Sequence, residues 1–162
     1  TVDKVGGTLG GTFTLAPVSE ANDAANGSVN WSYSLPNTSA QYLAEGESSS
    51  ESFTVTINDG KGGNISETVV VTVHGSNDGP TITTATTNAI GEIVEDASSL
   101  TLSDTGVISF ADIDLIDVHT AQITGQTGSL GGTLTLTAVD ENSTSEGGTI
   151  GWTYNVDNSK CD

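Results

Sequence analysis

The segment Leu9-Gly10-Gly11-Thr12-Phe13-Thr14-Leu15 recurs as Leu130-Gly131-Gly132-Thr133-Leu134-Thr135-Leu136, an offset of 121 residues. In the same ungapped frame Trp31-Ser32-Tyr33 falls on Trp152-Thr153-Tyr154, and Asn37 falls on Asn158. An internal repeat of this kind fixes the organisation before any other reading. It predicts a period of 121 residues, of which the 162-residue chain holds one full copy and a fraction. The natural boundary is Ser76-Asn77-Asp78-Gly79-Pro80, turn-forming residues after an unbroken strand pattern. Pro80 withholds a backbone donor and stiffens the exit. Residues 1–79 are then the C-terminal part of one repeat, and residues 80–162 the N-terminal part of the next.

Hydrophobic periodicity of two predicts strands rather than helices. Thr12–Leu15, 29–35 and 52–58 alternate, the last with Phe53, Val55 and Ile57 on one face. Residues 67–74 carry the run Val69-Val70-Val71-Thr72-Val73, and 59–64 reads as the hairpin loop before it, with Asp59 a turn residue. Further strands are expected at 90–94, 106–110, 120–124, 133–137 and 149–156. Short strands, abundant Thr and Ser, and 20 glycines for turns predict an all-β, Greek-key immunoglobulin-like or cadherin-like β-sandwich in two partial tandem repeats.

The net charge is −18, from 21 acidic residues against three lysines and no arginine. Nucleic acid is an unsuitable partner, because phosphate neutralisation needs Lys and Arg. An anionic membrane surface is unsuitable for the same reason, and no apolar run reaches the ~18 residues of a membrane span. Carboxylates on this scale either keep a surface solvated or await divalent cations. Asp112 and Asp114 lie two apart just past an apolar strand, so both can aim at one ion from a turn. Asp117 either extends that cluster or caps a loop. The lone Cys161 can form no internal disulfide. His74 and His119 have no nucleophile signature beside them and no zinc spacing, so no catalytic activity is expected. Trp31, Tyr33, Trp152 and Tyr154 could stack on sugars, but aromatics alternating along a strand belong first to a core or a sheet face.

The ordered series Leu130-Gly131-Gly132-Thr133, Trp31-Ser32-Tyr33, Gln41-Tyr42-Leu43-Ala44-Glu45-Gly46-Glu47, 53–60, Gly75-Ser76-Asn77-Asp78-Gly79-Pro80 and Phe110-Ala111-Asp112-Ile113-Asp114-Leu115 resembles the VCBS repeat of giant bacterial RTX-type adhesins. The resemblance implies a cadherin-like module in a secreted or cell-surface array concerned with adhesion or biofilm. It also implies calcium between successive domains, with Glu45 and Glu47, Asn77 and Asp78, and Asp112 and Asp114 in place of the cadherin ligands. Here Ala44-Glu45-Gly46-Glu47 stands where cadherins have Leu-Asp-Arg-Glu. The expected partners are neighbouring repeats, with another copy joined by strand exchange and surface glycans as alternatives. Because the chain is out of phase with its repeats, its two parts are expected as separate half-domains. Head-to-tail completion would then build a filament, and the strand at 67–74 would not pair with 106–110.

Overall fold

The computed structural model describes residues 1–22 and 25–161. It is all-β, built from antiparallel sheets, and it divides into two compact units, Thr1–Asn77 and Asp78–Asp162. The division falls inside the turn-rich stretch at 76–80.

The first unit holds β1 (Val2–Gly6), β2 (Thr12–Leu15), β3 (Ser19–Glu20), β4 (Gly27–Ser28), β5 (Trp31–Ser34), β6 (Ser48–Asn58) and β7 (Asn64–His74). Strands β1, β6 and β7 form one sheet with β6 central. The β6–β7 ladder runs unbroken from Ser48↔His74 to Asn58↔Asn64. Its loop is closed by Asp59, whose Oδ1 accepts from the amides of Lys61 at 2.8 Å and Gly63 at 2.9 Å, a turn role. Strands β2 and β5 pair separately, with Phe13 opposite Tyr33 and Leu15 opposite Trp31. The inward face of β6 alternates as the sequence pattern requires: Glu51, Phe53 and Val55 are all buried. Phe53 stacks on Phe13 at 4.5 Å and meets Tyr33 at 6.0 Å, which fastens the β2–β5 hairpin to the β6 face. Burying a phenyl ring contributes about 1.5–3 kcal/mol, and stacking of such pairs adds about 0.5–1.5 kcal/mol.

The second unit holds β8 (Thr81–Ile82), β9 (Thr101–Ala111), β10 (Thr133–Leu136) and β11 (Gly147–Asp157), in sheet order β10-β11-β9-β8. The β9–β11 ladder is unbroken from Gly147↔Ala111 to Asp157↔Thr101. Thus β7 pairs with β6, and β9 pairs with β8 and β11.

Two expected strands are corrected. Residues 90–94 do not pair; they cross the sheet, where a Cβ on Gly91 would lie 2.9 Å from the Trp152 ring, and Glu92 donates its amide to Asp104. Residues 120–124 are also unpaired, because no strand among the described residues lies beside them to complete a ladder. The reverse error concerns β1, which has few apolar residues and forms because β6 offers it an edge.

Candidate functional site

The most enclosed polar group in the first unit is Glu51, fully buried on β6. Four donors meet its carboxylate. The Gly10 amide donates to Oε1 at 2.9 Å, the Gly11 amide to Oε2 at 3.0 Å, and the Tyr33 hydroxyl to Oε2 at 3.0 Å. The Lys4 ammonium pairs with Oε1. The local sequence builds this cradle. Gly10 takes φ +81°, where an L side chain is strained, and so aims two successive amides at one acceptor. A Cβ on Gly11 would stand 2.1 Å from the Tyr33 oxygen, so only glycine lets the tyrosine lie over the turn. Burial favours the neutral acid, but the bonds from Lys4, Gly10 and Tyr33 outweigh it and hold the Glu51 carboxyl below its ordinary range. Burial and the adjacent Glu51 charge push the Tyr33 hydroxyl up.

The second unit repeats the receptor half of this arrangement. Pairs Thr133↔Asn155, Leu134↔Tyr154, Thr135↔Thr153 and Leu136↔Trp152 reproduce the β2–β5 register at the 121-residue offset. Gly131 takes φ +67°, and a Cβ on Gly132 would stand 2.0 Å from the Tyr154 oxygen. The counterpart of Lys4 is Gly125.

A second cluster gathers at the end of β9. Asp112 and Asp114 are buried, at 6% and 1% exposure. The Asp114 amide donates to Asp112 Oδ1 at 3.0 Å, and the Asp78 amide donates to Asp114 Oδ2 at 2.7 Å. Asp114 Oδ1 is buried without a hydrogen-bond partner. The Asp117 amide closes a turn onto the Asp114 carbonyl at 3.0 Å. His119 Nδ1 lies 2.7 Å from Glu141 Oε2 and Nε2 lies 3.1 Å from Asp112 Oδ2. Carboxylates on both ring nitrogens suit the imidazolium, which alone donates from both. Burial works against that charge, but the bonds to Glu141 and Asp112 prevail, so the His119 pKa is raised.

Of the residues expected to bind metal, Glu45, Glu47 and Asn77 belong to the first unit. Asp78, Asp112, Asp114 and Asp117 belong to the second. Glu45 is exposed, and Glu47 closes its own turn by accepting the Ala44 amide at 3.1 Å. Asp112, Asp114 and Asp117 line a common void of about 10 Å³, and the Asp78 amide is tied to Asp114 without lining that void. The donors there are hard oxygens, which suit calcium better than zinc. Among the described residues, however, no three His, Cys, Asp or Glu groups converge as metal ligands. His119 already engages one oxygen of Asp112. The fit to a cation therefore rests on the orphaned Asp114 Oδ1.

Sequence reasoning missed Glu51, His119 and Glu141. Glu51 sits two residues before Phe53 on the inward face of an alternating strand, and that position was the signal available for it. No protein-family model, curated protein or solved structure matches the chain.

Proposed function

We propose that this chain is a non-catalytic structural repeat of a secreted or bacterial cell-surface adhesin or matrix protein. In this reading its modules are VCBS-like, Greek-key β-sandwiches of 121-residue period, arrayed in tandem and stiffened by calcium. The observation that carries the reading is the β2–β5 hairpin with its glycine–tyrosine stack, built again as β10–β11 in the same register. Two units that carry one hairpin in one register are what neighbouring repeats of a tandem array contain. The first has the β6–β7 hairpin, and the second has β8 and β9.

Calcium would be held in the second unit by Asp112 and Asp114, with the unpartnered Asp114 Oδ1 as the free ligand atom. Extracellular calcium modules bind with Kd of roughly 10⁻⁴–10⁻³ M. At ~100-fold excess, linkage adds about 2.7 kcal/mol to the folded state. The test is thermal melting and calorimetric titration of the chain in chelator and in calcium. A calcium-dependent rise in Tm that disappears in the Asp112→Ala, Asp114→Ala double variant is expected. Equal melting in both conditions would remove calcium from the reading and leave the structural repeat to stand on its geometry.

A further inference from the structure

The hairpin shared by the two units differs in what covers it. In the first unit Leu9 is 5% exposed, while its counterpart Leu130 is 45% exposed. A Cβ on Gly7 would strike the Ser50 carbonyl at 2.6 Å, whereas one on Gly128 would meet nothing within 4 Å. Strand β1 is paired to β6, whereas the corresponding residues 123–127 have no ladder. The amides of Gly10 and Gly11 and the Tyr33 hydroxyl converge on Glu51. The amides of Gly131 and Gly132 and the Tyr154 hydroxyl have no hydrogen-bond partner among the described residues. Beside them, Leu130, Leu134, Leu136, Tyr154 and Val156 line an open groove of about 710 Å³.

Each difference has one cause: the first unit contains β6, and among the described residues the second contains no strand in its place. We propose that the groove of the second unit is the seat of an extended strand with the chemistry of Ser48–Asn58. That strand bears a glutamate, a phenylalanine two residues on and a valine four residues on, and it takes the place that β6 holds in the first unit. The inference rests on reading the two hairpins as copies of one repeat. Register follows from the first unit, where Lys4 faces Phe53 and Val2 faces Val55. The incoming phenylalanine would therefore lie opposite Gly125 and the valine opposite Ile123. The glutamate would then accept from Gly131, Gly132 and Tyr154, with no lysine beside it. Strand addition of this kind supplies main-chain bonds along 123–127 and specificity through alternate side chains. Ser48–Asn58 of a second copy is not the donor. It is bonded on both edges, to β1 and β7, and its inward face is committed to its own hairpin.

The test adds a synthetic peptide of residues Ser48–Asn58 to the intact chain and follows backbone amides by NMR. Saturable one-to-one binding is expected, with downfield movement of the Gly131 and Gly132 amide protons. The same peptide carrying E51Q should bind roughly tenfold or more weakly, since a charged acceptor is lost. Leu130→Asp in the chain places a charge at the exposed seat and should abolish binding without altering the melting curve. Failure of the peptide to bind, or equal binding of the E51Q peptide, overturns the proposal. So does a dimer in sedimentation whose Gly131 and Gly132 amides are already shifted, because that makes a second copy the donor. The Gly10 and Gly11 amides in the same spectra report separately on the underlying reading. If they lack the carboxylate shift, the shared-repeat geometry itself fails; if they show it while the peptide does not bind, only the strand-docking proposal fails.

Discussion

Tyr33 and Tyr154 occupy the same place in two hairpins, each lying over a glycine, but only Tyr33 donates to a buried carboxylate, that of Glu51, at 3.0 Å. Glu51 is therefore the polar keystone of the first unit alone, and its removal should be felt there alone. Glu51→Ala leaves two amides, a hydroxyl and an ammonium without their acceptor. The Lys4 ammonium is 38% exposed and can return to water, so the cost comes mainly from the unpaired amides and hydroxyl, about 1–3 kcal/mol. Tyr33→Phe removes one donor and should cost about 0.5–1.5 kcal/mol. Urea unfolding followed by amide exchange of β6 and β10 measures both, and a Glu51→Ala chain with an unchanged β6 would refute the role.

The same carboxylate sets an acid limit. Its pKa is lowered in the folded chain, so the unfolded state binds the proton more readily. The stabilisation is fully present above the unfolded value of roughly 4.3. It is lost as pH falls through the lower folded value. A pH series of urea melts should show the first unit weakening below that point, and Glu51→Gln should flatten the dependence. An equally steep acid dependence in Glu51→Gln would assign it to other carboxylates.

Glycine substitutions separate backbone conformation from packing. Gly7 and Gly128 both have positive φ, +94° and +135°, so alanine is strained at either position. Conformation alone costs on the order of 1 kcal/mol. At Gly7 the added carbon also meets the Ser50 and Glu51 backbone, which cannot yield cheaply, whereas at Gly128 it enters open space. Gly7→Ala should therefore destabilise its unit clearly more than Gly128→Ala does. Equal costs in differential scanning calorimetry would mean that the β6 contact contributes nothing.

Much of this architecture was legible because strand alternation and the repeated motif act locally. Thr12–Leu15 appears with the expected bounds, and 52–58 and 67–74 appear as the C-terminal parts of strands that begin earlier, at Ser48 and Asn64. What could not be read was pairing across distance. Residues 120–124 alternate well enough to suggest a strand, but a strand without a partner has no ladder. β1 alternates poorly yet forms because β6 lies beside it. The acidic cluster was half legible. Asp112 and Asp114 advertise themselves by spacing, while Glu141 reaches His119 from 22 residues away, a juxtaposition that only the β9–β11 pairing creates.

The two tryptophans give the last prediction, because pairing alone distinguishes them. Trp152 is 8% exposed, its Nε1 donates to the Asn88 carbonyl at 2.7 Å, and Gly106 on β9 lets the ring lie flat on the sheet. Its counterpart Trp31 stacks on Phe13 at 5.3 Å but is 49% exposed, since β5 pairs with β2 alone in its sheet. Emission from Trp31 should therefore be red-shifted and quenched readily by acrylamide, and emission from Trp152 should be blue-shifted and protected. Trp31→Phe should leave a protected chain of nearly unchanged stability. Trp152→Phe should lose a buried hydrogen bond and part of a buried ring, at a cost of roughly 1–3 kcal/mol. If Trp31 proves as protected as Trp152, the β5 edge is covered in solution, and its neighbour would be sought by cross-linking at Ser32 and Ser34.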